Sequence, residues 1–256
     1  MKNPMDMSGR TVIVTGAAQG IGKATCELVS ELGANVVAVD LADKLSAALD
    51  HLPQDRLMTV QGDVSDWSLA EKTVSDAVSR FGAVHGLVNN AGIVRAALIE
   101  KMTAQQWDDV IRVHLTGAFV WLQAAGRHMI ERRSAGDPGS ASIVNISSDA
   151  GRKGSFGQAN YAAAKAGMFG LSMTAAREWG RYGIRTNSVC FGVVETPMTE
   201  TIRSEKFRDR TLANIPLQRY AQPSEVVQTV CFLLSDASSY TTGQQISSNG
   251  GNNISV

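Results

Sequence analysis

Tyr161 and Lys165 stand four residues apart in the run YAAAK, a spacing that sets both side chains on one face of a helix. Thirteen residues before the tyrosine lies Ser148, next to Ser147 at the end of the apolar run SIVNIS. A phenol and a hydroxyl can share one substrate oxygen, the phenol moving a proton and the hydroxyl donating as charge develops. An unperturbed phenol titrates near ~10, and bringing it to ~7 takes about 4 kcal/mol. One ammonium in a partly dry cleft is of that order, so Lys165 is expected to lower the Tyr161 pKa. Alone, such a Tyr/Lys pair is more often a solvated surface pair. The serines at a strand end shift the weighing, because open α/β sheets bind ligands at the carboxyl ends of their strands.

A second constellation is TGAAQGIG at 15–22. Gly16, Gly20 and Gly22, with Gln19 and Ile21 between them, fall between an apolar strand (Thr11 to Thr15) and a helix (Ile21 to Leu32, stopped by Gly33). Glycines there let the backbone turn tightly and approach a pyrophosphate, with the helix N-terminus facing the anion. The spacing G-x-x-x-G-x-G departs from the usual dinucleotide fingerprint. A second strand, Asn35 to Asp40, ends in a carboxylate 18 residues after Gly22. Asp40 there can accept from ribose hydroxyls and would repel a 2′-phosphate by roughly 4 kcal/mol at ~4 Å and an effective dielectric of ~20. Gln19 supplies no cation to offset this, so NAD(H) is expected over NADP(H). The bland alternative is that Asp40 caps the turn that follows. A dinucleotide beside a phenol means hydride exchange with a carbonyl carbon while the phenol serves its oxygen.

The elements that position these groups alternate along the chain. Further strands are expected at Leu57 to Gln61, His85 to Asn89, Ser142 to Ser147, Ile184 to Cys190 and Gln245 to Ser248. Helices are expected at about Asp66 to Arg80, Thr103 to Arg132, Asn160 to Tyr182 and Ser224 to Leu234. Strands apolar on both faces and separated by helices imply a parallel sheet covered on both sides. Right-handed crossovers then give an α/β doubly wound, Rossmann-type sheet of about seven strands. No linker or repeat divides the 256 residues, so one domain is expected over 1–256. A segment near 193–217, chiefly Met198 to Leu217, looks like a substrate lid.

The 24 basic residues balance the 24 acidic ones, and 44% of the chain is apolar. That composition excludes a disordered chain and removes the electrostatic case for nucleic acid. No apolar run reaches the ~20 residues of a membrane span, and Met1 to Arg10 holds no leader core. Cys26, Cys190 and Cys231 are widely spaced, which points to reduced thiols in a cytoplasmic protein. The four histidines show no metal-ligand spacing, so no metal is expected.

The chain resembles the short-chain dehydrogenase/reductase family from Thr11 to Gly251. The motifs are TGAAQGIG, GDV at 62–64, NNAG at 89–92, NISS at 145–148, YAAAK at 161–165 and VVETPM at 193–198. QANYAAAKAGMFG and YTTGQQISSNGG look most like 3-oxoacyl-[acyl-carrier-protein] reductases and their relatives. The resemblance implies that Asp63 and Val64 contact the adenine, and that Asn90, Ala91 and Gly92 support the cofactor cleft. It sets Val194 and Thr196 at the nicotinamide carboxamide and Lys165 on the nicotinamide ribose. The family's 13-residue spacing favours Ser148 over Ser147. Where many relatives have Asn in a proton relay, this chain has His114, on a helical stripe with Trp107, Val110, Ile111 and Trp121. It is either a satisfied core residue or a titrating member of the relay. Where relatives have Pro-Gly, this chain has Phe191-Gly192, which either loosens the loop or packs on the cofactor.

The resemblance also implies a homotetramer and a small alcohol or ketone substrate. Arg132, Arg133 and Arg177 are either plain surface residues or a dock for an acyl carrier protein. A 3-oxoacyl reductase, a sugar or polyol dehydrogenase and a catalytically dead dinucleotide sensor remain the readings to separate.

Overall fold

The computed structural model describes residues 3–254. Seven strands form one parallel sheet: β1 (Thr11–Thr15), β2 (Asn35–Asp40), β3 (Leu57–Gln61), β4 (Gly86–Asn89), β5 (Ala141–Ser148), β6 (Ile184–Phe191) and β7 (Gln245–Ser248). Their spatial order is β3-β2-β1-β4-β5-β6-β7, with every pairing parallel. Successive side chains point to opposite faces, so both faces carry an apolar layer. Val12, Val14, Val36 and Val189 face one layer, which α1 (Gly20–Glu31) and a late helix, Pro223–Leu234, complete. Ile13, Val37, Leu87 and Ile143 face the other.

The remaining helices are α2 (Leu45–Ala48), α3 (Trp67–Phe81), α4 (Ala104–Ile111), α5 (Gly117–Ser134), α6 (Asp149–Lys153), α7 (Ala159–Trp179), α8 (Glu200–Arg203), α9 (Glu205–Ala213) and α10, the Pro223–Leu234 helix. Local chemistry sets their ends. Asp66 caps α3 by accepting from Ser68 and Leu69 N–H, and Thr103 with Gln106 forms a capping box on α4.

The long helix expected from Thr103 to Arg132 is not uniform. Arg112–Thr116 is a π-helical turn between α4 and α5, and such wide turns gather at functional positions. The helix expected to reach Tyr182 gives way at Gly180–Tyr182 to a 3₁₀ turn. Among the described residues, no helix is long and apolar enough to cross a membrane. All three cysteines are buried free thiols.

Candidate active site

Strand order reverses between β1 and β4, which pair on neighbouring edges while the chain runs outward in both directions. A cleft of about 560 Å³ opens there, lined from Gly16 and Asp40 at one end to Tyr161, Met198 and Thr199 at the other. That is the crevice where open α/β sheets bind ligands.

At the β1 end the glycine turn is braced by β4. The Thr15 hydroxyl accepts the N–H groups of Asn90 (3.0 Å) and Ala91 (3.1 Å). The Asn90 amide donates to the carbonyls of Thr15 (2.9 Å) and Gly16 (3.1 Å). Gly16 and Gly20 have φ of +68° and +57°, values that side chains disfavour. A Cβ on Gly22 would collide with the Gly16 carbonyl and the Asn90 amide. Helix α1 has no side-chain cap at Gln19 and no acidic residue in its first turn. Its first amides therefore suit an anion, and the cradle fits a dinucleotide.

Asp40 does cap the turn that follows it. Its Oδ1 accepts from Ala42 N–H at 2.9 Å, capping the next turn, and its Oδ2 accepts from Ala18 N–H at 2.9 Å, tying the glycine turn to β2. A carboxylate has lone pairs left for ribose hydroxyls. Lys44 escaped the sequence reading: its Nζ donates to Gln19 Oε1 at 3.2 Å. Asp63, Val64 and Gly92 line the same cleft. Arg112 was also missed; its guanidinium bonds Asp63 at 2.5 Å and the Ser65 hydroxyl at 2.6 Å. Burial works against the Asp63 carboxylate, but Ser65 N–H and Arg112 hold its pKa below the usual range. The Val64 carbonyl accepts from the Trp121 indole at 3.0 Å.

At the other end Tyr161, Lys165 and Ser148 converge. The Ser148 hydroxyl sits close enough to the Tyr161 phenol to work against the rise in its pKa, and it accepts from Ala150 N–H at 3.2 Å, capping α6. Ser147 is committed elsewhere, donating to the Lys165 carbonyl at 2.7 Å. Lys165 is 3% exposed. Its Nζ donates to the Ile146 carbonyl at 2.6 Å and lies 5.6 Å from the Tyr161 ring centroid. The expected lowering of the Tyr161 pKa by Lys165 is not seen. Burial raises the phenol, opposed by the nearby Ser148 hydroxyl, and burial also brings Lys165 down to about 7. Lys165 is shut away from water while Tyr161 is half-buried on the cleft wall, and the neutral form of each is favoured.

His114 sits in the π turn, 1% exposed, edge-to-face with Tyr161 at 5.2 Å between centroids. Its Nε2 lies 2.9 Å from Ile93 N and 2.8 Å from Ile93 O, while Nδ1 is buried without a partner. Burial, with the Lys165 charge adding to it, pushes its pKa down to about 3. Burial thus favours a neutral His114, in keeping with the core-residue alternative rather than the titrating one.

Phe191 is 4% exposed, packed in the core layer of Val189 and Val194 while lining the cleft, so it does not loosen the loop. Thr196 closes over Gly20, whose added Cβ would lie 3.2 Å from the threonine methyl. Two of the three arginines weighed as a carrier dock are engaged within the chain. Arg132 is 9% exposed and bonds the Ser140 carbonyl, and Arg133 bonds the carbonyls of Tyr182, Asp137 and Gly139. Both brace the 134–140 loop, and Arg177 alone is exposed.

A family model described as enoyl-(acyl carrier protein) reductase matches residues 16–253. The 3-oxoacyl-[acyl-carrier-protein] reductase FabG of Thermotoga maritima is 43% identical over 251 residues, covering 96% of this chain and 99% of its own. The protein of the same name from Staphylococcus aureus is 39% identical over 247 residues, covering 94% and 97%. A Brucella melitensis crystal structure, titled short-chain dehydrogenase/reductase and glucose/ribitol dehydrogenase, matches with a TM-score of 0.89. It is 34% identical and covers 98% of this chain and 99% of that one.

Proposed function

Since the chain belongs to the short-chain dehydrogenase/reductase family, as an oxidoreductase of CH–OH groups with a nicotinamide cofactor, we propose that it interconverts a ketone and a secondary alcohol, of the 3-oxoacyl thioester kind, using NAD(H). The observation that carries this is the convergence of Ser148, Tyr161 and the buried Lys165 on one wall of the cleft at the β1/β4 switch point. A bound nicotinamide supplies or accepts the hydride. Tyr161 gives the substrate oxygen its proton in reduction and takes it back in oxidation. Ser148 donates to the same oxygen as negative charge builds on it. Lys165, on the face of α7 that carries Tyr161, holds the nicotinamide ribose and answers charge on the phenol. The residues from Gly16 to Gly22, with Asp40, Asp63, Val64 and Asn90 to Gly92, hold the dinucleotide. Val194 and Thr196 meet the carboxamide.

NAD(H) preference rests on Asp40 at the end of β2, with Lys44 beside Gln19 as the opposing charge. A second reading, a sugar or polyol dehydrogenase, is favoured by the Arg95–Asp109 ion pair (3.3 Å) on the cleft wall. Residues 193–217 serve as a lid within a single domain. Three buried thiols fit a reducing cytoplasm. The exposed edge-to-face pair Trp67 and Phe119 offers apolar surface to a homotetramer. Of the three arginines weighed as a dock for an acyl carrier protein, only Arg177 keeps an exposed charge for it.

The test is absorbance at the nicotinamide band with a 3-oxoacyl thioester, an enoyl thioester and a sugar alcohol, each with NAD(H) and NADP(H). The 3-oxoacyl thioester should turn over best. Tyr161→Phe should lower kcat by at least about a hundredfold while NADH binding persists. Full turnover in that variant ends the acid/base assignment. No absorbance change with any substrate leaves the dinucleotide sensor.

A further inference from the structure

The residue before the reactive phenol is a buried amide with no place in the chemistry above. Asn160 is 1% exposed, and its polar atoms reach three separate segments. Its Nδ2 donates to the carbonyl of Arg95 at 3.0 Å, on the cleft wall after β4, and to the carbonyl of Gln106 at 2.8 Å, in α4. Its Oδ1 accepts from Tyr161 N–H at 2.8 Å, in the first turn of α7. Both amide protons are used, and one acceptor bond is made to the backbone of Tyr161 itself.

Two neighbouring features show why this matters. Gln158, at the N-cap of α7, makes no side-chain cap bond, so Asn160 meets one of the first-turn donors that would otherwise lack a partner. The same wall is stitched a second time where Ala97 pairs with Gln158 in a short bridge and its N–H donates to the Gly157 carbonyl at 2.9 Å. The segment that carries Arg95 is thus registered against the start of α7 from both sides. A carboxamide is the one side-chain group that presents two donors and an acceptor in one plane.

We infer that Asn160 is a positioning residue: it fixes Tyr161 and the substrate-side wall at Arg95 in one register, so that the phenol meets the substrate oxygen at reacting distance. This rests on the proposed acid/base role of Tyr161. Small displacements of an acid/base group cost large factors in rate. The dinucleotide cradle, by contrast, is built on β1, β2 and β4 and does not touch Asn160.

The test compares Asn160→Ala and Asn160→Asp with wild type and Tyr161→Phe. Asn160→Asp keeps the volume and the acceptor but turns a carboxylate toward two carbonyls. Both Asn160 variants should lose at least about tenfold in kcat, and KM for the carbonyl substrate should rise, while the NADH dissociation constant stays within about twofold. If the alanine variant does not fold, the isosteric aspartate decides. A kcat within about twofold of wild type overturns the inference, and so does a parallel loss of kcat and NADH affinity, which marks general loosening. If Tyr161→Phe keeps full turnover, the acid/base reading itself fails. Dead Tyr161→Phe with unimpaired Asn160 variants sinks only the positioning role.

Discussion

Lys165 carries a cost that its chemistry requires. Its ammonium is shut away from water at 3% exposure, with one carbonyl, that of Ile146, as hydrogen-bond partner. Burial brings its pKa from 10.5 down to about 7. Between those values the unfolded chain holds a proton that the folded chain has released, so folding stability climbs with pH across that window. Below it both states are charged, and the folded one bears the full burial penalty of several kcal/mol. Lys165→Met is therefore expected to raise the urea midpoint at and below neutral pH while ending turnover, with the advantage shrinking toward about pH 10. A gap that widened with pH would reverse the sign and refute it. Asp40 is read through charge in the same way. Asp40→Asn keeps one acceptor and removes the repulsion, so the NADPH/NADH ratio of kcat/KM should rise at least about tenfold. An unchanged ratio refutes the carboxylate as the discriminator. That Tyr161, Lys165 and Ser148 meet in one cleft was readable from the chain, because helical spacing beside a strand end brings them there. Arg112 and Lys44 were not, because their partners, Asp63 and Gln19, lie 49 and 25 residues away in sequence and only the folded sheet brings them together.

The strands were legible for a different reason. Residues buried on both faces leave a continuous apolar run, and β1 and β2 fall where TVIVT and NVVAVD predict them, while the half-buried β3 and β7 also fall at LMTVQ and QISS. Short polar helices such as α8 and α9, where no residue is buried, leave no apolar stripe to read. The π turn at Arg112–Thr116 was equally silent, because the apolar stripe runs on through it while only the backbone bonding changes. That turn carries His114 against the segment after β4. Ile93 presents both its N–H and its carbonyl to the single Nε2, and one imidazole nitrogen serves only one of them at a time. Gly92 is what lets the ring approach, since an added Cβ would strike His114 Cε1. Gly92→Ala should cost ~1–3 kcal/mol by overpacking. Adding His114→Ala should recover part of that loss, giving a non-additive cycle in chemical denaturation. Strict additivity would mean that the two elements do not meet through this contact.

Across the whole molecule, three of the four histidines accept backbone N–H groups around the middle of the sheet. His85 Nδ1 takes Thr11 N–H at 3.1 Å and joins β1 to β4. His128 Nε2 takes Val84 N–H at 3.1 Å and joins α5 to the entry of β4. His114 Nε2 faces Ile93 where the chain leaves β4. Burial is the leading cause in each case, lowering His85 to about 4, His114 to about 3 and His128 below its ordinary value. The folded state thus refuses protons that the unfolded chain accepts below ~6.5. Fewer protons bound in the folded state means that stability falls as pH drops, by up to ~1.4 kcal/mol per pH unit for each histidine. His85 and His128 are only partly buried, so the sum should lie between ~1 and ~4 kcal/mol per unit from about pH 6 to pH 4.5. The lowered carboxyls of Asp63, Asp66 and Asp137 act in the same direction further into acid. Urea denaturation across this range should show the decline. His128→Gln, whose amide oxygen can still accept from Val84 but cannot take up a proton, should flatten it. A stability that stayed level from neutrality to about pH 5 would mean that these histidines protonate without releasing their backbone partners, and that the centre of the sheet is not held by neutral imidazole.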